Sequence, residues 1–149
     1  MTQDTDYFYL LRRLSPTQWN HELNEPNDLA FRLRPVDKGG LSVYLEGVQT
    51  PRSVLQLMID SQKTKAVKSP ERVEKWFELN GSSVEVLVNN FWRVARVPKS
   101  AFPSEQFTFT MPNLADGHLE ILGTQEAFET YTDQILSQTL LCTLRECME

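Results

Sequence analysis

Arginine residues fall within several segments that predict β-strands. Arg12 and Arg13 end the first such segment, and later segments carry Arg32, Arg34 and Arg93. A planar guanidinium group can donate two parallel hydrogen bonds to a phosphate or a carboxylate. If several of these side chains enter one cleft, they would bind an anion, with Arg32, Arg34 and Arg93 as the predicted contacts. The alternative is that each points into solvent or pairs with an acidic residue.

The chain has two histidines, His21 and His118. His118 follows the dipeptide Asp116-Gly117 and begins a predicted strand. An imidazole titrates near pH 6.5, so His118 is a candidate general base. The alternative is an ordinary surface histidine, because the sequence shows no fixed partner for its ring.

Metal-ion and cofactor motifs are absent from the sequence. Cys142 and Cys147 lie five residues apart, on different sides of a predicted helix, which suits neither a disulfide nor a zinc site. The sequence therefore predicts two reduced thiols, no metal and no cofactor. No G-x-S-x-G, G-x-G-x-x-G or phosphate-loop pattern occurs, which disfavours nucleophile-elbow hydrolases, dinucleotide folds and kinases.

The charge is unevenly distributed along the chain. The formal net charge is -5, and residues 76–149 carry 4 basic against 10 acidic residues. An acidic chain is a poor candidate for binding that depends on phosphate contacts. The one basic run comprises Lys63, Lys65, Lys68, Arg72 and Lys75. Aromatic residues do not alternate with these cations as base-stacking platforms would, so nucleic acid is not an expected partner.

The first half of the chain predicts strands and capped helices. Residues 7–14 predict a strand buried on both faces, and Ser15 with Pro16 fits the start of a short helix. Residues 30–45 predict a strand, a turn and a second strand. The dipeptides Thr50-Pro51 and Ser69-Pro70 each predict a helix N-terminus, since a hydroxyl cap is followed by proline.

The second half predicts more strands and a long final helix. Residues 82–90 fit either a strand or a short helix, and we prefer the helix. Residues 91–97, 105–111 and 118–122 predict strands, the last two as a hairpin. A helix is predicted from Thr124 to about residue 147, with a broad apolar stripe.

These elements indicate an α+β fold. The expected architecture is a single domain of residues 1–149, in which a mixed or mainly antiparallel sheet of about five to six strands is covered by helices. Residues 1–6 are expected to form a flexible tail. No apolar run approaches membrane-spanning length and the first residues do not resemble a signal peptide, so a cytoplasmic location without membrane contact is expected.

Several stretches resemble a diffuse group of small uncharacterised bacterial proteins. They are Tyr9 to Arg13, Ala30-Phe31-Arg32, Leu41-Ser42-Val43-Tyr44 and Thr50-Pro51. Such proteins begin with a strand containing tyrosine and arginine, and continue with an LSV-type strand. The resemblance covers about the first third of the chain and implies a bacterial origin more than an activity.

A second comparison is with ADP-ribosyltransferase-like folds. One branch of these folds holds NAD with an arginine, a serine and a glutamate on three successive strands. The order Arg12 or Arg13, then Ser42, then Glu105 or Glu120 is similar. The paired-glutamate loop motif of that branch and its aromatic nicotinamide pocket are not identifiable here.

Two functions follow as hypotheses. The first is a non-enzymatic interaction or accessory module that binds another protein, in a multi-gene system such as phage defence or toxin control. The second is a nucleotide-processing enzyme, ADP-ribosyltransferase-like or otherwise. The candidate catalytic residues are Arg12, Arg13, Ser42, His118 and Glu120. The first hypothesis requires an exposed apolar patch, and the second requires these side chains to meet in one pocket.

Overall fold

The structure is a computed structural model that describes residues 8–33 and 40–149. Within these residues the chain forms a six-stranded antiparallel sheet, a separate two-stranded hairpin and six α-helices. This confirms the predicted α+β class and the number of strands. The predictions for the tail at residues 1–6, for Arg34 and for the turn over residues 35–39 lie outside the described residues.

Strands and helices alternate irregularly along the chain. The strands are β1 (Tyr9–Leu14), β2 (Trp19–Asn20), β3 (Glu25–Pro26), β4 (Gly40–Leu45), β5 (Arg93–Pro98), β6 (Thr108–Asn113), β7 (His118–Leu122) and β8 (Leu140–Leu141). The helices are α1 (Pro51–Lys65), α2 (Pro70–Asn80), α3 (Val84–Asn89), α4 (Gln125–Thr130), α5 (Thr132–Ser137) and α6 (Leu144–Met148).

The main sheet is organised around β1. Its spatial order is β6-β7-β4-β1-β5-β8, and every neighbouring pair is antiparallel. Leu10 and Leu11 of β1 are both fully buried, although successive residues of a strand point to opposite faces. The prediction that this strand is buried on both faces is therefore confirmed.

Each face of the sheet packs against its own group of helices. On face 1, Leu10 and Val43 belong to one core cluster with Phe128 of α4 and Ile135 of α5. On face 2, Leu11 belongs to a second cluster with Leu55 of α1, which also contains residues of α3 and α6. Helices α1, α3 and α6 therefore lie over the β1 and β5 part of face 2.

Side-chain caps mark several predicted helix starts. Thr50 Oγ1 accepts a hydrogen bond from the Ser53 N–H at 3.1 Å, and Ser53 Oγ accepts one from the Thr50 N–H at 2.7 Å. Helix α2 begins at Pro70, as predicted, although the Ser69 side chain makes no capping hydrogen bond. The ambiguous residues 82–90 contain α3, capped by Ser83, so the preferred helix is confirmed.

The short helix predicted after Ser15 is wrong. The Ser15 N–H donates to Gln18 Oε1 at 2.8 Å, and the Gln18 N–H donates to the Ser15 carbonyl at 3.0 Å, so one turn satisfies the local capping signal. The chain then enters the β2–β3 hairpin. Burial of the large Trp19 ring in the face 1 core favours this path over a helix.

The strand predicted to begin at Ala30 is also wrong over its described part. The Ala30 N–H donates to the Asn27 carbonyl at 3.0 Å, and the Arg32 N–H donates to the Leu29 carbonyl at 3.3 Å. These are turn hydrogen bonds. Ala30 and Phe31 still enter the core, but from a turn. The partner strand β4 is confirmed.

The single long C-terminal helix is wrong, although a helix does end the described chain. Residues 125–148 form α4, α5, β8 and α6 instead. Leu140 and Leu141 break the helical run because they pair with Arg96 and Ala95 of β5. Thr143 then starts α6 with a complete capping box.

The strand predicted over residues 105–111 is shifted. Glu105 lies in a turn, and β6 begins at Thr108. Pro112 lies inside β6, where it is tolerated because β6 is an edge strand. The predicted hairpin of this strand with β7 is confirmed. None of the described helices combines the length and apolar character required to cross a bilayer.

Candidate functional site

A cleft of about 540 Å³ opens where β1 ends, beside the second half of α1 and two turns of the first loop. Its described lining residues are Arg12, Arg13, Ser15, Thr17, Gln18, Leu29, Arg32, Ser42, Tyr44, Met58, Ser61, Gln62, Lys65 and Trp92. Four of these are basic, and no described lining residue is acidic. We call this the basic cleft.

Arg12 holds the cleft together. Its side chain is 8% exposed, Nε donates to the Ala30 carbonyl at 2.7 Å, and Nη1 donates to the Ser42 carbonyl at 2.9 Å. These bonds join the turn after β3 to the strand β4. Arg12 is therefore a structural cation as well as a lining residue.

Arg13 points to the opposite face, face 2, because it is the next residue of the strand. Nη1 donates to the Val54 carbonyl at 3.3 Å, and the guanidinium carbon lies 5.8 Å from the centre of the Tyr44 ring. Among the described residues, no carboxylate lies within ion-pair distance of it. Burial lowers the pKa of Arg13, and the Tyr44 hydroxyl opposes this shift. The group stays protonated at neutral pH.

Ser42 and His118 form a hydrogen-bonded pair on face 2. The antiparallel register of β4 and β7 places Tyr44 opposite His118 and Ser42 opposite Glu120. Ser42 Oγ lies 2.5 Å from His118 Nε2, and the imidazole stacks on the Tyr44 ring with 5.0 Å between ring centres. The predicted candidates Arg13, Ser42, His118 and Glu120 therefore lie on the same face of neighbouring strands.

The electrostatic environment keeps His118 neutral. Burial lowers the pKa of His118 below its ordinary value of 6.5; the charge of Glu120 opposes this, and the Arg13 charge adds to it. With a proton on Nδ1, a neutral imidazole accepts a hydrogen bond from the Ser42 hydroxyl at Nε2. A serine bonded to a neutral imidazole is the pair that nucleophilic catalysis uses.

This pair lacks the third member of a catalytic triad within the described part of the chain. No hydrogen-bond acceptor is found for His118 Nδ1 among the described contacts. The Glu120 carboxylate lies against Gly40, where a Cβ atom would collide with it. Glu120 therefore influences His118 through its charge and does not orient the ring.

The remaining arginine candidates have different surroundings. Arg93 lies on face 1 and is 8% exposed; Nη1 donates to the carbonyls of Val88 and Trp92, both at 2.7 Å, and the guanidinium lies over Trp19. Arg93 is not among the described lining residues of the basic cleft, and its role as an anion contact stays a prediction. Arg32 is exposed at the mouth of the basic cleft. Arg34 lies outside the described residues.

Of the lining residues, only Arg12, Arg13, Arg32 and Ser42 were candidates from the sequence; Tyr44, Lys65 and Trp92 are among those that were not. Lys65 could have been found, since residues 58, 61, 62 and 65 share one face of α1 at helical spacing. Trp92 enters the cleft only because the fold brings the start of β5 beside α1. No sequence pattern signals that contact.

The cysteines take no part in this site. Both are free and buried, and desolvation raises the pKa of Cys142 to about 12 and raises that of Cys147. Such thiols are poor nucleophiles at neutral pH. Across residues 8–33 and 40–149, no three His, Cys, Asp or Glu side chains are grouped so that they could hold a metal ion.

The chain was compared with known proteins. No protein family matches the sequence, and neither a curated protein nor a solved structure is significantly similar to it.

Proposed function

We propose that this protein binds a phosphate-bearing small molecule of the nucleotide class in the basic cleft. The observation that carries the proposal is the charge of the lining. The whole chain has 20 acidic and 15 basic residues, yet the described lining of the cleft has four basic residues and no acidic one. An anionic ligand is the partner that such a lining favours.

Arg13 is expected to make the principal phosphate contact. Its guanidinium is partly desolvated and has no carboxylate partner among the described residues. A bound phosphate would restore the charge-assisted hydrogen bonds that burial has removed. Arg32 and Lys65 are exposed at the mouth of the cleft and can adjust to the remaining phosphate oxygens.

The other lining residues favour a nucleotide over inorganic phosphate. Trp92 offers an aromatic ring on which a base can stack, whereas the Tyr44 ring is already in contact with His118 and Arg13. Gln62 offers an amide donor and acceptor for base or sugar groups, whereas the Gln18 amide is already hydrogen-bonded to Ser15 and Leu29. A volume of about 540 Å³ is also in the range of small-molecule sites.

The test is calorimetric titration with AMP, ADP, ATP and NAD, with adenosine as the neutral comparison. We expect the nucleotides to bind and adenosine to bind at least about tenfold more weakly, because charge-assisted hydrogen bonds are lost. Arg13→Gln should weaken nucleotide binding by a similar factor. Arg145→Gln is the matched control, because Arg145 is exposed and pairs with Glu149.

Lys65→Gln provides a second variant that does not depend on a partly buried side chain. Lys65 is exposed, so its loss should leave the melting temperature unchanged while it weakens nucleotide binding. Equal affinity for adenosine and ATP, or nucleotide binding unaffected by Arg13→Gln and Lys65→Gln, would contradict the proposal.

A second candidate function is processing of the bound nucleotide. The Ser42–His118 hydrogen bond favours it, because Ser42 also lines the cleft and would face the ligand. The test is chromatographic detection of products after incubation with the nucleotides that bind. Turnover by the wild type that is lost in Ser42→Ala, with binding retained, would support an enzyme; absence of turnover would leave a binding protein.

The protein-interaction role remains a proposal with a separate basis. Leu140, Leu144 and Met148 are large apolar residues that are 69%, 55% and 38% exposed. Leu144 and Met148 are four residues apart in α6 and share a helix face. If this surface binds a partner in a defence or toxin-control system, Leu144→Glu should abolish stoichiometric co-purification from the native host without affecting nucleotide binding.

A further inference from the structure

A second basic groove adjoins the basic cleft. It has a volume of about 380 Å³ and lies between the end of α1 and the first half of α2. Its described lining residues are Gln62, Lys65, Lys68, Ser69, Arg72, Val73 and Trp76. Three of these are basic, and again no acidic residue is among the described ones. We call this the helix groove.

The two concavities form one continuous surface. Gln62 and Lys65 line both of them. Trp92 in the basic cleft and Trp76 in the helix groove are in ring contact, with 6.2 Å between their centres and 52° between their planes. A ligand that extends from the basic cleft past Lys65 therefore reaches a further aromatic ring and further cations. No acidic residue lies along this path in the described part of the surface.

The acidic residues of α2 are directed elsewhere. Arg72 and Trp76 are four residues apart and share the face that lines the helix groove. Glu74 and Glu78 are likewise four residues apart, and they line a different groove beside Phe77. The third acidic residue of α2, Glu71, is not a lining residue of the helix groove either, so Arg72 is the only charged residue of α2 that lines this groove.

We infer that the ligand class of this continuous surface is single-stranded nucleic acid, whose first nucleotide occupies the basic cleft and whose following phosphates lie along the helix groove. This inference rests on the proposed binding of a nucleotide in the cleft. A mononucleotide would leave Lys68, Arg72 and Trp76 without a role, whereas a strand repeats phosphate and base at the spacing of one nucleotide. Unpaired bases can stack on Trp92 and Trp76, and paired bases cannot expose their faces in this way.

This inference departs from the expectation drawn from the sequence. That expectation relied on the absence of aromatic residues among Lys63 to Lys75 and on the acidic total charge. The fold supplies the rings from two separate elements, Trp76 of α2 and Trp92 before β5. The acidic remainder of the surface would then confine a polyanion to this one path.

The experiment measures fluorescence anisotropy of 5′-labelled oligothymidylate and oligouridylate of two, four, six and ten nucleotides, at several salt concentrations. Thymidine monophosphate and uridine monophosphate are titrated by calorimetry alongside. We expect affinity to rise with length and to reach a plateau once the strand spans both concavities. The two series distinguish DNA from RNA as the source of the strand.

The decisive variant is Lys68→Glu with Arg72→Glu, which alters only exposed residues of the helix groove. We expect it to weaken the longer oligonucleotides at least tenfold, to reduce their salt slope by about 1.4 for two lost phosphate contacts, and to leave mononucleotide binding unchanged. The matched control is Lys63→Glu with Lys75→Glu, which changes the charge equally but alters residues that line neither concavity.

A stacking readout is independent of charge. Trp76→Leu should weaken the longer oligonucleotides by a factor of five or more, because base stacking on an aromatic side chain contributes about 1–3 kcal/mol. It should not affect the mononucleotides. Equal quenching of tryptophan fluorescence by the oligonucleotides in wild type and in Trp76→Leu would count against stacking on Trp76.

The outcomes separate this inference from the proposed function. If mononucleotides bind and longer strands bind no better, the inference fails and the proposed function stands. If neither binds, the proposed function fails with it. Equal affinity for duplex, or for heparin of similar charge, would replace single-stranded nucleic acid by a general polyanion and overturn the inference.

Discussion

Arg96 and Arg13 lie on the same face of neighbouring strands but have opposite surroundings. Arg96 of β5 is opposite Leu11 in the register, so it shares face 2 with Arg13 of β1. Arg96 Nε lies 2.9 and 2.8 Å from the two carboxylate oxygens of Glu46, and Nη2 lies 2.8 Å from Glu146 Oε1. These hydrogen bonds raise the pKa of Arg96, chiefly through Glu46. Arg13 has a carbonyl and an aromatic ring in place of these acids.

The difference distinguishes a structural cation from a candidate binding cation. Glu146 belongs to α6, so its contact with Arg96 fastens the last helix to the sheet. The charge of Arg96 is thus neutralised by the protein itself. Arg13 lies beside a cleft of about 540 Å³, and the described residues around it supply no carboxylate. An anionic ligand gains more binding free energy from a cation without a carboxylate partner, such as Arg13, than from a neutralised one, such as Arg96.

The largest effect is expected when Arg96 is removed. Arg96→Met should lower the free energy of unfolding by about 2 kcal/mol, because the partly buried carboxylates of Glu46 and Glu146 lose their cationic partner. This value lies between those for exposed and for buried ion pairs. Urea denaturation measures it. Nucleotide affinity of the folded variant should remain at the wild-type value, and a parallel loss of affinity would show that the two regions are not separate.

Arg13→Met should produce the reverse pattern. Loss of a desolvated charge with no carboxylate partner should change the free energy of unfolding by less than about 1 kcal/mol. The increase of melting temperature that a saturating nucleotide causes in the wild type should disappear, as shown by thermal shift with and without ligand. Severe destabilisation of the unliganded variant would instead assign Arg13 a structural role like that of Arg96.

A smaller effect concerns acid pH. The hydrogen bond from Arg96 holds the pKa of Glu146 below its ordinary value of 4.5, with help from the Thr143 backbone. Because the folded state binds this proton less readily, the stabilisation is present above pH 4.5 and is lost as the pH falls through the folded pKa. Arg96→Met should therefore show a shallower loss of stability below pH 4.5 than the wild type, in denaturation at several pH values.

The smallest effect concerns the titration of His118. Because burial and the Arg13 charge depress its pKa, the unfolded state binds this proton more readily than the folded state below about pH 6.5. Stability should decline as the pH falls from 6.5, and His118→Gln should remove that part of the decline. NMR titration of the wild type should give a His118 pKa below 6.5, and Arg13→Met should raise it. If the pKa of His118 is the same in Arg13→Met as in the wild type, the charge of Arg13 does not act on His118.

Much of the fold follows from local signals in the sequence. A hydroxyl residue followed by proline identified the starts of α1 and α2. An apolar run rich in aromatic and branched residues identified β1, and alternating apolar residues identified β4 and β5. The same kind of signal at Ser15 predicted a helix that does not form. A single turn satisfies the capping hydrogen bonds there, and Trp19 is buried in the face 1 core. The long final helix was misread because Leu140 and Leu141 pair with β5, and no local pattern reveals that distant partner.

The candidate site was only partly predictable for a similar reason. Arg13, Ser42 and His118 were identified by residue type, but their proximity depends on the register of β1, β4 and β7, which join residues more than 70 positions apart. The face on which Arg93 lies is set by the pairing of β5 with β1, so its separation from Arg13 could not be predicted from the sequence. Trp92 enters the cleft through packing alone, so the sequence did not identify it.

The edge strand β6 has a consequence for behaviour at high concentration. An unpaired edge can add the strand of another molecule and so begin an aggregate or a fibril. In β6 the ladder is interrupted twice: Pro112 lacks an N–H group, and the register with β7 shifts between Thr110 and Asn113. These interruptions leave only a short stretch on which an incoming strand could pair. The edge at β6 therefore disfavours addition of a strand from another molecule.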